Sequence, residues 1–443
     1  MTLPSQRLAL SGRRFLTLRM ERAVTYGNVH ADADSPRAQS VSMIAGGLLT
    51  VLLLLAGALL AVWRPSSELD DAAVVMVRDS GAVYVRVHDV MHPVLNLTSA
   101  RLIAATGEAP RQISESALLD TEHGALLGIP GAPTAVGAPL AESESTWTVC
   151  DGDTTTVSAG VLPDGAPGAG RAVLVAAPSG TTYLLYDGRR ARVDLHDPAV
   201  VRVLGAENLR PAPVSRALLG LVPEAPAITA PQIPGFGAPG PAALSGFLVG
   251  DVVQVQQATG TEFLVVLAGG VQRVGQTAAD LIAHQGPGMA VTAVAPAAVN
   301  GLPRLGILAV QTFPDSLASV HGAGGDTVCA VWSAGATEIR FGAQQKLPGL
   351  AQADGAGPLT DAVSLPAARS AYVRPDGATA ATGWLVTGQG VRFRVADEES
   401  ARILGLAEPV PAPRAALEAL PRGPDLSRSA ALTAYDVIPA GPP

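Results

Sequence analysis

The chain has 443 residues, which is enough for two or three domains. Apolar residues make up 48% and charged residues 15%, and the 48 glycines and 36 prolines indicate many turns and short elements. The formal net charge of −8 disfavours a nucleic-acid partner, because phosphate binding needs a basic surface.

Residues 1–40 are predicted to form a basic cytosolic leader. Ser11–Val24 has the spacing of a helix, with apolar side chains recurring on one face. Such a helix could lie on an anionic inner leaflet or dock onto the cytosolic domain of a partner, whereas the alternative is a solvated helix with no partner. The candidate contact residues are Arg13, Arg14, Phe15, Arg19 and Arg22.

A membrane-spanning helix is predicted from Val41 to Trp63, where the chain carries no charge. Trp63 and Arg64 form an interfacial anchor at its outer boundary. The alternative, a cleaved export signal, requires a shorter apolar region closer to the N-terminus. Six arginines precede the span and an acidic cluster follows it, so the positive-inside rule places residues 1–40 in the cytosol and residues 64–443 outside.

Outside the membrane, one pattern occurs four times: a short β-branched strand, a turn, a second alternating strand and a short helix. The four copies are 82–103, 182–205, 262–284 and 383–405. In the second copy, Asp197-Pro198 has the residue types that begin a helix. Coincidence among Ala/Val-rich segments is the alternative. The pattern predicts four ββα-type repeats, at 72–110, 181–225, 250–305 and 371–432.

Two inserts between these repeats, 111–180 and 306–370, each contain one cysteine. They are predicted to form a central β domain in two segments, with 433–443 as a tail. The expected fold class is therefore α+β and β-rich, with a single N-terminal transmembrane helix and an extracytoplasmic region that combines the central domain with the repeats.

Cys150 and Cys329 are the only cysteines, and they lie in the related stretches "TWTVCD" and "DTVCAVW". In an oxidising compartment two lone cysteines most often pair, which indicates a disulfide. A metal site would need further ligands at close spacing, and a catalytic thiol would need an oriented histidine. His321 lies near Cys329 without a second element to orient it, and both alternatives stay open at this point.

Several motifs occur in an order that resembles one known family. They are "SGRRFLTLRMERA", "SPRAQS", "YVRVHDVMHPVLNLTSARLI", "GIPGAP", "WTVCD", "YLLYDGRRARVDLHDPAV" and "LPRGPDLSRSAAL". Together they resemble EccB, the membrane core subunit of actinobacterial type VII (ESX) secretion systems, from about Arg7 to the end of the chain.

The resemblance implies a single-pass inner-membrane protein with most of its chain in the periplasm. It implies a central β domain, four repeats similar to a phage-lysin cell-wall-binding fold, and a disulfide between the matching cysteines. The implied partners are other Ecc membrane subunits, namely the motor ATPase, the multipass channel subunit and the remaining single-pass scaffold, together with further copies of the chain itself.

No enzymatic motif is found in the sequence. The only lysine, Lys346, lies in "GAQQKLPG", which is not a phosphate-binding loop, and no nucleophile elbow is present. His88 and His92 would suit a metal only on a helix, and they are predicted to lie in a strand and turn. The sequence therefore predicts a non-enzymatic assembly subunit without a cofactor or metal. The alternatives are a membrane-anchored peptidoglycan-binding protein and, disfavoured, an extracytoplasmic ATPase.

Overall fold

The structure is a computed structural model. It describes residues 4–27, 36–63, 69, 72–119, 121–163, 166–167, 171–258, 260–285, 290–317, 319–322, 324, 327–342, 350–352 and 360–438. The chain divides into two compact bodies, residues 1–68 and 69–443, called here the N-terminal segment and the main body.

The N-terminal segment contains two helices, α1 (Pro4–Tyr26) and α2 (Pro36–Trp63). Each begins at a proline, which suits a first helical turn because its missing N–H would have no partner there. Within α2, the 19 residues Val41–Leu59 have a mean hydropathy of 2.2 and bury none of their surface in the protein. By length and composition this stretch can cross a bilayer.

The described residues of the main body form five sheets. Sheet 1 contains Val74–Val77, Val83–Val87, Val90–Val94, Arg111–Ile113, Leu126–Leu127 and Ala434–Tyr435. Sheet 2 contains Arg171–Ala176, Thr182–Tyr186, Arg189–Val193, Ala212–Pro213, Glu224–Ile228 and Ser319–His321. Sheet 3 contains Val252–Gln257, Gly260–Leu267, Gly270–Val274 and Thr292–Val294. Sheet 4 contains Ala138–Pro139, Arg369–Pro375, Trp384–Val386, Arg392–Arg394 and Val410–Ala412.

The fifth sheet, called here the central sheet, has seven strands. They are Trp147–Asp151, Thr155–Ala159, Ala166–Pro167, Thr327–Ser333, Ala336–Gly342, Leu350–Ala351 and Ala362–Ser364. The strands beginning at Trp147 and Thr327 are neighbours in its middle, so both parts of the chain contribute to one sheet.

The helices of the main body are short. They are α3 (Leu97–Ala104), α4 (Pro198–Leu204), α5 (Arg216–Leu221), α6 (Gln276–Ala283), α7 (Pro296–Val299), α8 (Glu398–Ile403), α9 (Arg414–Glu418) and α10 (Arg428–Ala431), with 3-10 turns at Glu115–Leu118, Glu142–Glu144 and Ala242–Leu244. Asp197 caps the N-terminus of α4 and Pro198 is its first residue, as the sequence predicts.

Sheets 1 to 4 share one order of pairing. In sheet 3, three consecutive strands pair antiparallel, α6 follows, and Thr292–Val294 then pairs parallel with the first strand, Val252–Gln257. Sheets 1, 2 and 4 have the same three antiparallel strands, a following helix (α3, α4 or α8) and a parallel fourth strand.

Two strands pair outside the central sheet although they fall within the predicted central segment 111–180. Arg111–Ile113 pairs in sheet 1 and Arg171–Ala176 in sheet 2. Arg171–Ala176 reads "RAVLVA" and is buried at its four middle positions, so it lacks the alternation that marks a half-buried strand. The predicted tail also contains a strand, because Ala434–Tyr435 pairs with Leu126–Leu127.

Three apolar clusters hold the sheets together. One lies between the central sheet, sheets 2 and 4, and helices α5 and α9. A second joins sheet 2 to sheet 3, and a third joins sheet 1 to sheet 4. The central sheet therefore lies at the middle of the main body, with sheets 2 and 3 packed together as one pair and sheets 1 and 4 as another.

Candidate functional site

A disulfide joins the two middle strands of the central sheet. Cys150 and Cys329 lie directly opposite each other in an antiparallel pair, with 4.1 Å between their Cα atoms and a separation of 179 in sequence. Trp147 and Trp332 are opposite each other in the same register, and both are buried. The two related sequence stretches are therefore neighbouring strands.

The two faces of the central sheet differ in character. Because side chains alternate along a strand, Trp147 and Val149 point to one face and Cys150 to the other. The face of Trp147 and Val149 packs into the apolar cluster beneath α5 and α9, which also contains Leu218 and Leu417. The disulfide therefore joins the two middle strands on the face of the sheet that is opposite the apolar core.

Asp151 ends the strand of Cys150 and is only 5% exposed. Its carboxylate accepts hydrogen bonds from the hydroxyl of Thr155 at 2.8 Å and from the backbone N–H of Ser215, the N-cap of α5, at 2.6 Å. Burial raises the pKa of Asp151, against the effect of these hydrogen bonds, and the nearby carboxylate of Asp361 raises it further. Asp151 therefore connects the central sheet to the start of α5.

Helices α5 and α9 cross at very close range. Gly220 lies in α5, and a Cβ added to it would overlap the Cβ of Ala415 in α9. The small size of these two residues lets the backbones approach and brings Leu218 and Leu417 together over the central sheet.

An arginine stacks on an aromatic ring in both sheets that flank the central sheet. In sheet 2, the Arg190 guanidinium lies 5.3 Å from the Tyr183 ring centre and donates to the carbonyl of Leu219. In sheet 4, the Arg392 guanidinium lies 4.8 Å from the Trp384 ring centre and its Nε donates to the carbonyl of Leu420 at 3.1 Å. Each arginine fastens the end of α5 or α9 to the neighbouring sheet.

The first half of the main-body sequence contains sheets 1 and 2, and the second half contains sheets 3 and 4. Each half also contributes a short strand to a sheet of the other half. Ala138–Pro139, which precedes the Cys150 strand, pairs with the start of Arg369–Pro375 in sheet 4. Ser319–His321, which precedes the Cys329 strand, pairs with the start of Arg171–Ala176 in sheet 2. The first crossing is reinforced by Arg369, which makes two hydrogen bonds to the carboxylate of Glu144, at 2.5 and 3.3 Å. The halves are therefore interlocked.

The leader residues singled out from the sequence lie on α1. Arg13, Arg14, Phe15, Arg19 and Arg22 are all exposed, and Phe15 is 61% exposed. Apolar side chains of α1, including Leu10, Leu18 and Val24, are exposed as well. The helix therefore presents both cationic and apolar groups on its surface.

The predicted boundary residues of the membrane span lie at different positions relative to α2. Val41 lies inside α2 and is exposed, and Trp63 is the last residue of α2. Arg64 lies outside the described residues. His88 lies in a turn and His92 in a strand, as expected, and His92 Nδ1 is 2.8 Å from the carbonyl oxygen of Ala125.

Comparison with known proteins identifies the family. A family model described as "Type VII secretion system ESX-1, transport TM domain B" matches residues 3–440. The chain belongs to the EccB family. It is 31% identical over 480 residues to the ESX-5 secretion system ATPase EccB5 of Mycobacterium tuberculosis, covering 98% of this chain and 94% of that protein. It is 33% identical over 473 residues to the ESX-3 secretion system ATPase EccB3 of Mycolicibacterium smegmatis, covering 98% and 91%.

Solved ESX complexes contain chains with the same fold. A chain of an intact ESX-5 inner membrane complex superposes with a TM-score of 0.73 and 27% identity, covering 100% of this chain and 97% of that chain. An EccB3 dimer from the ESX-3 core complex gives 0.71 and 31%, covering 82% and 100%. This EccB chain is therefore a structural subunit of a type VII secretion complex, a single-pass inner-membrane protein with its bulk in the periplasm.

Several residues that shape the centre of the molecule are not evident from the sequence. Asp151 stands in the quoted "WTVCD" motif, and the available signal was a charged residue ending an otherwise uncharged strand. Arg392 stands in "VRFRV", where the alternation of apolar and basic residues gives no sign that an arginine stacks on a ring. Gly220 gave no signal, since only the path of a distant helix explains it.

Proposed function

We propose that the main body is a non-catalytic scaffold that holds the periplasmic part of an ESX membrane complex together. The observation that carries the proposal is the match along the whole chain to a subunit of an intact ESX-5 inner membrane complex. The disulfide and the two crossing strands support it, because they oppose separation of the two halves under load.

The main body would consist of four copies of one unit around a central domain. The shared pairing order of sheets 1 to 4 supports this, and the unit would comprise three antiparallel strands, a helix and a parallel fourth strand. The predicted ββα pattern would be the middle of that unit. Two copies and one part of the central sheet would make each half, because sheet 1 precedes the Cys150 strand as sheet 3 precedes the Cys329 strand.

The proposed partners are the other Ecc membrane subunits and a second copy of this chain. Support comes from relatives solved in an ESX-5 inner membrane complex and as an EccB3 dimer. We assign cytosolic docking to α1, whose arginines can pair with acidic groups while Phe15 enters an apolar groove. An anionic membrane surface is the competing target for the same residues.

A catalytic role has less support, although the relatives are named ATPases. Phosphate binding by a nucleotide-hydrolysing loop needs a glycine-rich turn followed by lysine, and Lys346 has no such context in the sequence. The periplasmic side of the membrane is also poor in ATP. We therefore propose that any energy for transport enters through a partner.

Peptidoglycan binding is the second candidate, and the ring of Trp384 argues against it. Sugar recognition commonly uses an accessible aromatic face. The guanidinium groups of Arg392 and Arg422 lie 4.8 and 5.6 Å from the centre of the Trp384 ring, and the side chain is half-buried. A packing role therefore accounts for Trp384 more simply than ligand stacking.

Depletion of the chain in its native host tests the scaffold role. We expect secretion of ESX substrates to stop, the other membrane subunits to leave the large complex, and the wild-type chain to restore both. Replacing Lys346 with alanine should restore both equally well. Restored assembly without restored secretion in that variant would contradict a purely structural role.

The leader assignment has its own test. Arg13, Arg14, Arg19 and Arg22 changed together to glutamate should release partner subunits from a detergent-solubilised complex while the main body keeps its fold. Leucine in place of Phe15 serves as the matched control, since it keeps an apolar side chain. Unchanged subunit composition in the glutamate variant would remove α1 from the interface.

A further inference from the structure

A cavity of about 450 Å³ lies where α5 and α9 meet the end of the central sheet. Ala217 of α5 and Ala415 of α9 give it apolar walls. Three hydroxyl-bearing residues, Thr155, Ser215 and Thr360, line it as well. An apolar cavity with a few convergent polar groups is the usual form of a small-molecule site.

Two of the three hydroxyl groups of this cavity are set to accept hydrogen bonds, whereas the Ser215 hydroxyl already accepts one from the backbone N–H of Leu218 at 3.0 Å. The Thr155 hydroxyl already donates to Asp151 at 2.8 Å, and the Thr360 hydroxyl donates to the carbonyl of Ala419 at 3.0 Å. Their protons are therefore engaged, and their remaining capacity is in oxygen lone pairs. A ligand that donates hydrogen bonds matches them.

The charged groups around the cavity also favour a ligand that donates hydrogen bonds, because most of them are carboxylates. Asp151 stands behind the wall, where its carboxylate accepts from Ser215 N. Asp361 accepts from Thr155 N at 2.6 Å. Glu418 also lines the cavity, and Arg216 is the cation among the described lining residues. The guanidinium of Arg414 lies 3.9 Å from the carboxylate of Glu418. Three carboxylates against two guanidinium groups still favour a positively charged ligand over an anion.

We propose that this cavity binds a small organic ammonium ion, with its apolar body against the alanines and its ammonium group towards Thr155 and Thr360. The site goes beyond the scaffold role, because it lies between a helix of one half and a helix of the other. A bound ammonium would stabilise the contact between α5 and α9, and the stabilisation would grow with the logarithm of its concentration above the Kd.

Fluorine NMR of 4-fluorobenzylammonium, titrated with the full-length protein in detergent, tests the proposal. We expect saturable binding that 4-fluorobenzoate neither shows nor reverses, and that protein-free micelles do not reproduce. Ala419→Leu should abolish binding by filling the cavity. The double variant Asp151→Asn/Asp361→Asn should weaken it about tenfold through the loss of two charges.

Asp153→Asn is the matched control, since Asp153 lies on the same hairpin but is exposed. It should bind like the wild type. Lack of saturable binding to the wild-type protein overturns the proposal whatever the variants do. Equal affinity of the wild type and Ala419→Leu also overturns it, because the ammonium would then be bound elsewhere.

Discussion

At the scale of single residues, Asp151 is a carboxyl group buried away from water. Its hydrogen bonds to Thr155 and Ser215 only partly replace hydration, which is why its pKa is raised and not lowered. The folded protein therefore holds a proton on Asp151 more tightly than the unfolded chain does. This group adds stability at low pH, and that stability is lost as the pH rises from the unfolded pKa through the raised folded pKa.

Replacing Asp151 with asparagine should remove this dependence on pH. We expect the free energy of unfolding of the wild type, relative to the variant, to be greater at pH 5 than at pH 7. Urea unfolding followed by tryptophan fluorescence at both pH values, without reductant, measures it. Asp153→Asn should keep the wild-type dependence, and an unchanged dependence in Asp151→Asn would refute the assignment.

Arg392 illustrates how one side chain can join two elements. Its guanidinium covers Trp384 and its Nε reaches the carbonyl at Leu420, just past α9. Lysine could keep the charge but could not make both contacts in the same geometry.

Arg392→Ala should lower the free energy of unfolding by about 2 kcal/mol through the loss of a stacking contact and a charged hydrogen bond. Arg392→Lys should recover less than half of that loss. The exposed Arg394 lies on the same strand, so Arg394→Ala is the matched control and should change stability little. Equal effects of the two alanine variants would show that the stacking of Arg392 on Trp384 adds nothing to the free energy of unfolding.

At the scale of elements, the crossing of α5 and α9 depends on two small residues. Alanine normally favours a helix over glycine, so a loss of stability in Gly220→Ala can arise only from its overlap with Ala415. We expect a loss of about 2 kcal/mol.

The double variant Gly220→Ala/Ala415→Gly tests this crossing more sharply. It moves the methyl group from one helix to the other, and we expect it to recover most of the stability, measured as a coupling energy in a double-mutant cycle. Gly388→Ala is the control, because a Cβ at Gly388 meets no atom within 4 Å. Additive losses in the double variant would mean that the helices do not cross as described.

The sequence predicts some elements well and others poorly, for physical reasons. Alternation reveals half-buried strands such as Val83–Val87, and Asp197-Pro198 reveals a helix start. Arg171–Ala176 is buried in the middle and so has no alternation to detect. The two-residue strand Ala138–Pro139 exists only because sheet 4 offers it a partner, which local sequence cannot indicate.

The centre of the molecule was only partly predictable for the same reason. Two cysteines in an oxidising space indicate a bond between them, whatever the fold. The close approach of Gly220 to Ala415 and the bond from Asp151 to Ser215 depend on how distant segments pack. Those residues could be recognised only once the packing was known.

At the scale of the whole molecule, the two halves are joined covalently by Cys150–Cys329 and non-covalently by two exchanged strands. Closing a loop of this length stabilises a protein by about 5 kcal/mol at most, since the bond mainly restricts the unfolded chain. The exchanged strands also fix how the two halves are aligned, which a single covalent bond cannot do. A main body joined in this way would resist forces exerted by the partners bound to it.

The most direct measurement is the subunit composition of the native assembly. The chain, tagged at its C-terminus, would be purified from native membranes in mild detergent. Native mass spectrometry would give the mass of the complex, and peptide sequencing would identify its subunits. We expect one large complex that contains more than one copy of this chain together with a motor ATPase and the other Ecc membrane subunits. Recovery of the intact, disulfide-bonded chain as a monomer without partners would contradict it.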